Sequence, residues 1–151
     1  MRIMGLDYGT KTVGVALSDD LLITAQPKET IFRDRENKIR KTLVRIEELV
    51  QEYDVGLIVI GLPLNMDDSL GERANACLSF QDKVRRRTSL PVVMSDERLT
   101  TKEAEEALRK MNVPFDKRKN VIDQVAAVII LREYLENHRE EILKNANENS
   151  G

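Results

Sequence analysis

A mixed α/β fold is what the sequence predicts: a five-stranded sheet, first three strands antiparallel and last two parallel, with helices on both faces. Three observations predict it. The chain opens with consecutive strand-like runs separated by turn residues. It continues with short apolar runs separated by helical periodicity, and it closes on a helix that is apolar on most sides. Consecutive strands favour antiparallel pairing, whereas strands separated by helices favour parallel pairing through right-handed crossovers.

Taken in order, the first strand is predicted over Ile3–Asp7 and the second over Lys11–Ser18, with Gly9 as the turn residue. Val13, Val15 and Leu17 alternate with Thr12, Gly14 and Ala16, and a glycine inside a strand suggests close backbone approach or a bulge. A third strand over Ile23–Ile31 contains Pro27, which confines it to an edge. Ile39, Leu43, Ile46, Val50 and Tyr53 recur at helical steps, which predicts a helix over Glu36–Tyr53. The unbroken apolar run Val55–Ile60 reads as a buried strand. A loop follows over Gly61–Ser69, then a helix over Leu70–Arg87 and a strand over Pro91–Ser95. Thr100 and Glu103 form a capping box that opens a helix to about Met111. The last helix covers about Asn120–Asn137, and its stretch Val121–Leu131 must be packed. Residues 1–143 therefore read as one domain, and 144–151 as a polar tail expected to be disordered.

The chain has 151 residues, a formal net charge of −2, one cysteine and one histidine. A single cysteine excludes an internal disulfide, and Cys77 in a helix reads as structural rather than nucleophilic. His138 lies in the polar C-terminal region. Acid–base work therefore falls to carboxylates, lysines or metal-bound water. No apolar run approaches the roughly 20 residues of a membrane span. The N-terminus meets Asp7 too early for a signal-peptide core, so a cytoplasmic location is expected. The near-neutral charge argues mildly against nucleic-acid binding, although Arg85–Arg87 and Lys117–Lys119 are compact basic tracts.

Three acids stand out by position. Asp7 ends a strand, where an acid is costly to bury unless paired or metal-bound; a turn-initiating aspartate is the plainer alternative. Asp96 and Glu97 follow the strand Pro91–Ser95, and ligands in open α/β sheets gather beyond the strands' carboxyl ends. They also suit an ordinary loop before a capped helix. Asp123 lies in the first turn of the predicted last helix, where the dipole favours an acid anyway. Ala126 and Ala127, one turn along, would let that helix lie close to the sheet. Together the acids form a plausible cage for a hard cation such as magnesium.

Four segments in order carry a family resemblance: Gly5-Leu6-Asp7-Tyr8-Gly9-Thr10-Lys11-Thr12-Val13-Gly14-Val15-Ala16, Gly61-Leu62-Pro63-Leu64-Asn65-Met66-Asp67, Asp96-Glu97-Arg98-Leu99-Thr100-Thr101, and Ile122-Asp123 continuing through Gln124 to Leu131. The chain resembles the YqgF family of bacterial Holliday junction resolvases, also described as pre-16S rRNA nucleases, over essentially its whole length to about Asn137. The resemblance implies a ribonuclease-H-like fold related to the RuvC resolvases and a metal-dependent endonuclease. It implies maturation of the 5′ end of 16S rRNA in ribosome biogenesis, or Holliday junction resolution. Asp7, Glu97 and Asp123 become the catalytic, metal-holding acids, with Mg2+ or Mn2+ as cofactor. The implied partners are precursor rRNA, branched DNA and a ribosome precursor, the chain acting as a monomer or weak dimer. One departure is visible: Asp68 stands where the family commonly has glycine, which bears on the shape of that loop.

Beside these acids, Thr10, Lys11, Asn65, Arg98 and Lys119 are candidate substrate-binding residues by their placement. Lys11 could meet a phosphate as a point charge and Arg98 could do so bidentately. Lys119, in the tract before Asp123, could fix register on flanking phosphates. Two other readings are open. Gly5–Thr12 nearly imitates a nucleotide-phosphate loop, but Thr10 stands where that motif needs glycine before its lysine. A non-catalytic module that binds RNA or the transcription machinery is the second.

Overall fold

The structure is a computed structural model that describes residues 1–63, 71–97, 109–110 and 115–150; within these, the side chains of 63, 96, 97, 115–121, 139, 142, 143 and 145–150 lie outside the description. Five strands form one sheet: β1 (Arg2–Tyr8), β2 (Thr12–Ser18), β3 (Ala25–Phe32), β4 (Val55–Pro63) and β5 (Val92–Glu97). The order across it is β3-β2-β1-β4-β5. β1 pairs antiparallel with β2 and parallel with β4, β2 pairs antiparallel with β3, and β4 pairs parallel with β5. The mixed sheet expected from the sequence is therefore present, and β3, which carries Pro27, is an edge strand. The register of β2 on β3 shifts between Val15 and Ala16, where Ala16 faces Pro27 and no proline amide can bond.

Each central strand is buried on both faces, so its alternating residues feed two cores. Helices α1 (Arg40–Glu52) and α2 (Glu72–Thr88) cover one face, where Ile46, Leu49, Phe80 and Val84 pack on Met4, Leu6, Val13, Val15, Ile58 and Ile60. Helix α3 (Phe115–Ser150) covers the other, where Ala127, Val128, Ile130, Leu131 and Leu135 meet Ile3, Ala16 and Val59. The second interface includes small residues, Ala16 and Ala127 with Gly5, that let the backbones approach closely. A Cβ placed on Gly5 would lie 2.8 Å from Leu131 Cβ and 2.9 Å from the Ala127 carbonyl oxygen, so helix backbone rests almost on strand backbone.

Boundaries differ where long-range contacts override local pattern. Helix α1 begins at Arg40 rather than Glu36. Residues 35–38 instead form a turn closed by the Lys38 amide on the Arg35 carbonyl (3.0 Å), and the Glu36 carboxylate is taken by Arg73 (2.8 Å). Strand β4 runs on to Pro63, into the predicted loop, and β5 extends to Glu97. The helix predicted from Thr100 lies outside the described residues except at 109–110, which are helical. Helix α3 starts at Phe115 and continues through 144–150, the segment whose composition suggests disorder.

Candidate active site

Gly14 is the position on which the site turns. In the β1–β2 ladder it faces Asp7 directly. On its open side it meets helix α3, where a Cβ would overlap the Asp123 carbonyl group and come within 3.0 Å of Asp123 Cβ. The strand glycine that suggests either close approach or a bulge is thus a point of close approach. Asp7 and Asp123, far apart in sequence, are brought against the same residue.

Helix α3 begins eight residues before Asp123, so this acid sits in the helix interior rather than its first turn. The dipole and free-amide account of its presence therefore does not apply. Asp7 is half-buried, and no hydrogen bond or ion pair to a described residue reaches its carboxylate. Burial, then the nearby Asp123 charge, pushes its pKa from 3.8 up to about 6, against the opposing pull of Arg73. Two acids crowded in a desolvated spot with one cation beside them favour a ligand of positive charge.

Arg73 is a site residue that sequence reasoning misses. From the start of α2 it bonds Glu36 (2.8 Å) and the Tyr8 carbonyl (3.3 Å), and it holds the Glu36 carboxyl below its ordinary range. It thereby fixes the residue after Asp7. Arg33 is a second such residue. It is 8% exposed, donates from Nη2 to the Gly9 carbonyl (2.5 Å), and lies 4.8 Å over the Tyr8 ring. Phe80 stacks on the same ring at 4.2 Å, and the Arg73 guanidinium lies 5.4 Å from its centroid. A cation against an aromatic face offsets part of the cost of burying Arg33, whose Nε and Nη1 meet no hydrogen-bond acceptor among the described residues. The turn 9–11 is clamped from beneath by these groups.

Thr10 and Lys11 are exposed on that turn, close in sequence to Asp7. Glu97 occupies the last position of β5, opposite Pro63; its side chain, and that of Lys119, lie outside the description. Asn65, Asp68 and Arg98 lie outside the described residues altogether. Among the described residues no group of three His, Cys, Asp or Glu is assembled. Cys77 is buried, and burial pushes its thiol up to about 11, so it stays protonated and inert at neutral pH. His138 stacks on Tyr134 along α3 and faces Glu141 at 3.3 Å. Arg85 and Arg86 pair with Asp82 and Arg87 with Glu47, at the far end of α2. No helix among the described residues is long and apolar enough to cross a membrane.

The architecture is a ribonuclease-H-like fold. It superposes on RuvC of Thermus thermophilus with a TM-score of 0.57 at 11% identity, covering 91% of this chain and 96% of that one. The fowlpox virus Holliday junction resolvase gives 0.56 at 12%, covering 91% and 99%. Residues 1–137 match the family model described as RuvX, Holliday junction resolvase, and the chain belongs to that family of phosphodiester-cleaving hydrolases. It is 61% identical over 136 residues to a protein of Lachnospira eligens named "Putative pre-16S rRNA nuclease", covering 90% of this chain and 97% of that protein. A Listeria monocytogenes protein of the same name is 52% identical, covering 90% and 98%. The resemblance carried by the four sequence segments thus holds.

Proposed function

We propose that this chain is a divalent-metal-dependent endonuclease that hydrolyses phosphodiesters of precursor 16S rRNA, with Asp7, Glu97 and Asp123 as its ion-holding acids. One observation carries the reading: Asp7 and Asp123 converge across Gly14, where burial first and the Asp123 charge second raise the Asp7 pKa. The donor set fits a hard cation. Oxygen ligands suit Mg2+ or Mn2+, and a cation would offset both the burial and the acid–acid repulsion that disfavour the charged form of Asp7. Glu97 ends β5 at the register phase of Val93, which packs in the α3 cluster, so its position is consistent with a third acid. The choice of precursor rRNA rests on the names of relatives up to 61% identical.

A bound divalent ion would supply Lewis acidity toward the phosphate and lower the pKa of attacking water. The chain's own residues do the rest. Hydrolysis breaks one P–O ester bond and adds water across it, and the acids would hold the cation against which the phosphate must sit. Arg73 and Arg33 keep the end of β1 and the 9–11 turn in place. Lys11, exposed and without a salt bridge to any described residue, meets a neighbouring phosphate.

Cleavage of precursor 16S rRNA and of a four-way DNA junction, with and without Mg2+, tests the proposal. Mg2+-dependent cutting of the RNA is expected. No cutting of either substrate with Mg2+ or Mn2+ overturns the nuclease reading, and cutting of the junction alone moves the substrate to branched DNA. Lys11→Ala is expected to weaken binding to all sequences alike and to flatten the log–log salt dependence by about 0.7–0.9. An unchanged slope removes Lys11 from the phosphate contacts.

A further inference from the structure

Phe32 leaves 71% of its surface exposed. A lone apolar side chain at a surface is ordinary, so its place must decide what it means. Phe32 closes β3 and pairs with Thr12, at the end of the sheet where β1 stops and the 9–11 turn runs. Strand alternation sets it on the α3 face. Thr30, two residues earlier, accepts a hydrogen bond from Nε2 of Gln124 (3.1 Å), the neighbour of Asp123. Its partner Thr12 shares the phase of Gly14, on which Asp123 rests. The ring therefore shares both face and end of the sheet with Asp7 and Asp123. Two strand spacings separate β3 from β1, about 10 Å, and the step from the Gly14–Thr30 pair to Thr12–Phe32 adds about 7 Å. That distance is a few nucleotides along one strand.

The surroundings are fixed as well. Arg33, the next residue, donates its amide to the Lys11 carbonyl (2.9 Å) and its guanidinium to the Gly9 carbonyl (2.5 Å). An exposed aromatic ring and an exposed cation, Lys11, are thus carried on one clamped junction. Leu21 and Ile23, also exposed, sit in the β2–β3 hairpin at the opposite end of the sheet and lack both neighbours. A ring for a base and a cation for its phosphate, beside acids that cut, is the combination by which proteins hold single strands.

We propose that Phe32 is a stacking platform for an unpaired nucleobase of the substrate strand, a few nucleotides from the scissile phosphate. The proposal rests on the nuclease reading above and adds a requirement that the strand be unpaired there. A fluorescent base analogue is placed at successive positions around the cut site of a single-stranded RNA, and binding is followed with EDTA present. Wild type and Phe32→Trp are expected to quench one position, and Phe32→Ala to lose that quenching. The single-strand Kd of Phe32→Ala is expected to rise about five- to a hundredfold, with its thermal midpoint and its affinity for fully paired duplex unchanged. Equal quenching and equal Kd in Phe32→Ala overturn the platform while wild-type cleavage stands. Absence of wild-type cleavage with Mg2+ overturns instead the reading beneath it.

Discussion

Asp7→Asn is expected to abolish cleavage while raising the thermal midpoint of the metal-free protein. The loss follows from removing an anionic ligand: changes behind a metal's ligands already cost about 10–100-fold, and loss of the ligand itself should cost on the order of a thousandfold or more. The gain follows from linkage. Asp7 has an ordinary pKa of 3.8 and a folded-state pKa of about 6. Between those values the folded chain keeps a proton that the unfolded chain has lost, so stability falls as pH rises through the window. The penalty is complete above about pH 6 and absent below about pH 4. Asparagine carries no such penalty. At pH 7.5 the variant should gain about 1–2 kcal/mol, less than the full shift implies because Asp7 keeps some contact with water. For a chain of this size that is a few degrees of midpoint, and the gain should shrink toward zero at pH 4. Thermal melts in EDTA at both pH values check it. In excess Mg2+ the gap should narrow, because the ion stabilises only the wild type. A variant less stable than wild type at pH 7.5 in EDTA would show that Asp7 is held by favourable contacts and is not a strained acid.

Gly14→Ala is expected to be among the most damaging single-methyl additions in the chain. Its Cβ would overlap the carbonyl of Asp123, which is helix backbone and cannot rotate aside. Helix α3 would have to lift from β2, loosening the contacts of Ala127 and Leu131 over Gly5 as it goes. Overpacking of a flexible core typically costs 1–3 kcal/mol, and backbone against backbone should reach about 3 kcal/mol or more. The midpoint should drop by about 6–12 °C. Cleavage should fall further than the remaining folded fraction accounts for, because the same displacement separates Asp123 from Asp7. A urea transition indistinguishable from wild type would mean that the helix does not rest on Gly14.

Much of this was legible in the sequence, and the reasons differ by element. The alternation in β2 and the unbroken run in β4 report burial on both faces, so the sheet could be read directly. Pro27 announced the edge because a missing amide is a local fact. Gly14 signals either a close approach or a bulge, and its own position does not say which, nor what approaches. The start of α1 was misplaced because Glu36 is claimed by Arg73, 37 residues away, before it can join a helix. Asp123 reads as a first-turn residue because the apolar pattern that marks the helix starts only at Val121, yet α3 begins at Phe115. Arg33, Arg73 and Phe32 gave no local signal. Their significance comes from pairings made only when the sheet closes: Arg33 reaches a carbonyl 24 residues away and Arg73 one 65 residues away.

The central claim is that Asp7 and Asp123 share a divalent ion. It is tested most directly by soaking crystals of the protein in Mn2+ and measuring the anomalous signal at the manganese edge. A peak is expected within coordination distance of both carboxylates, lost in crystals of Asp7→Asn. A wild-type map with no manganese between those two residues, at concentrations that support cleavage, would contradict it.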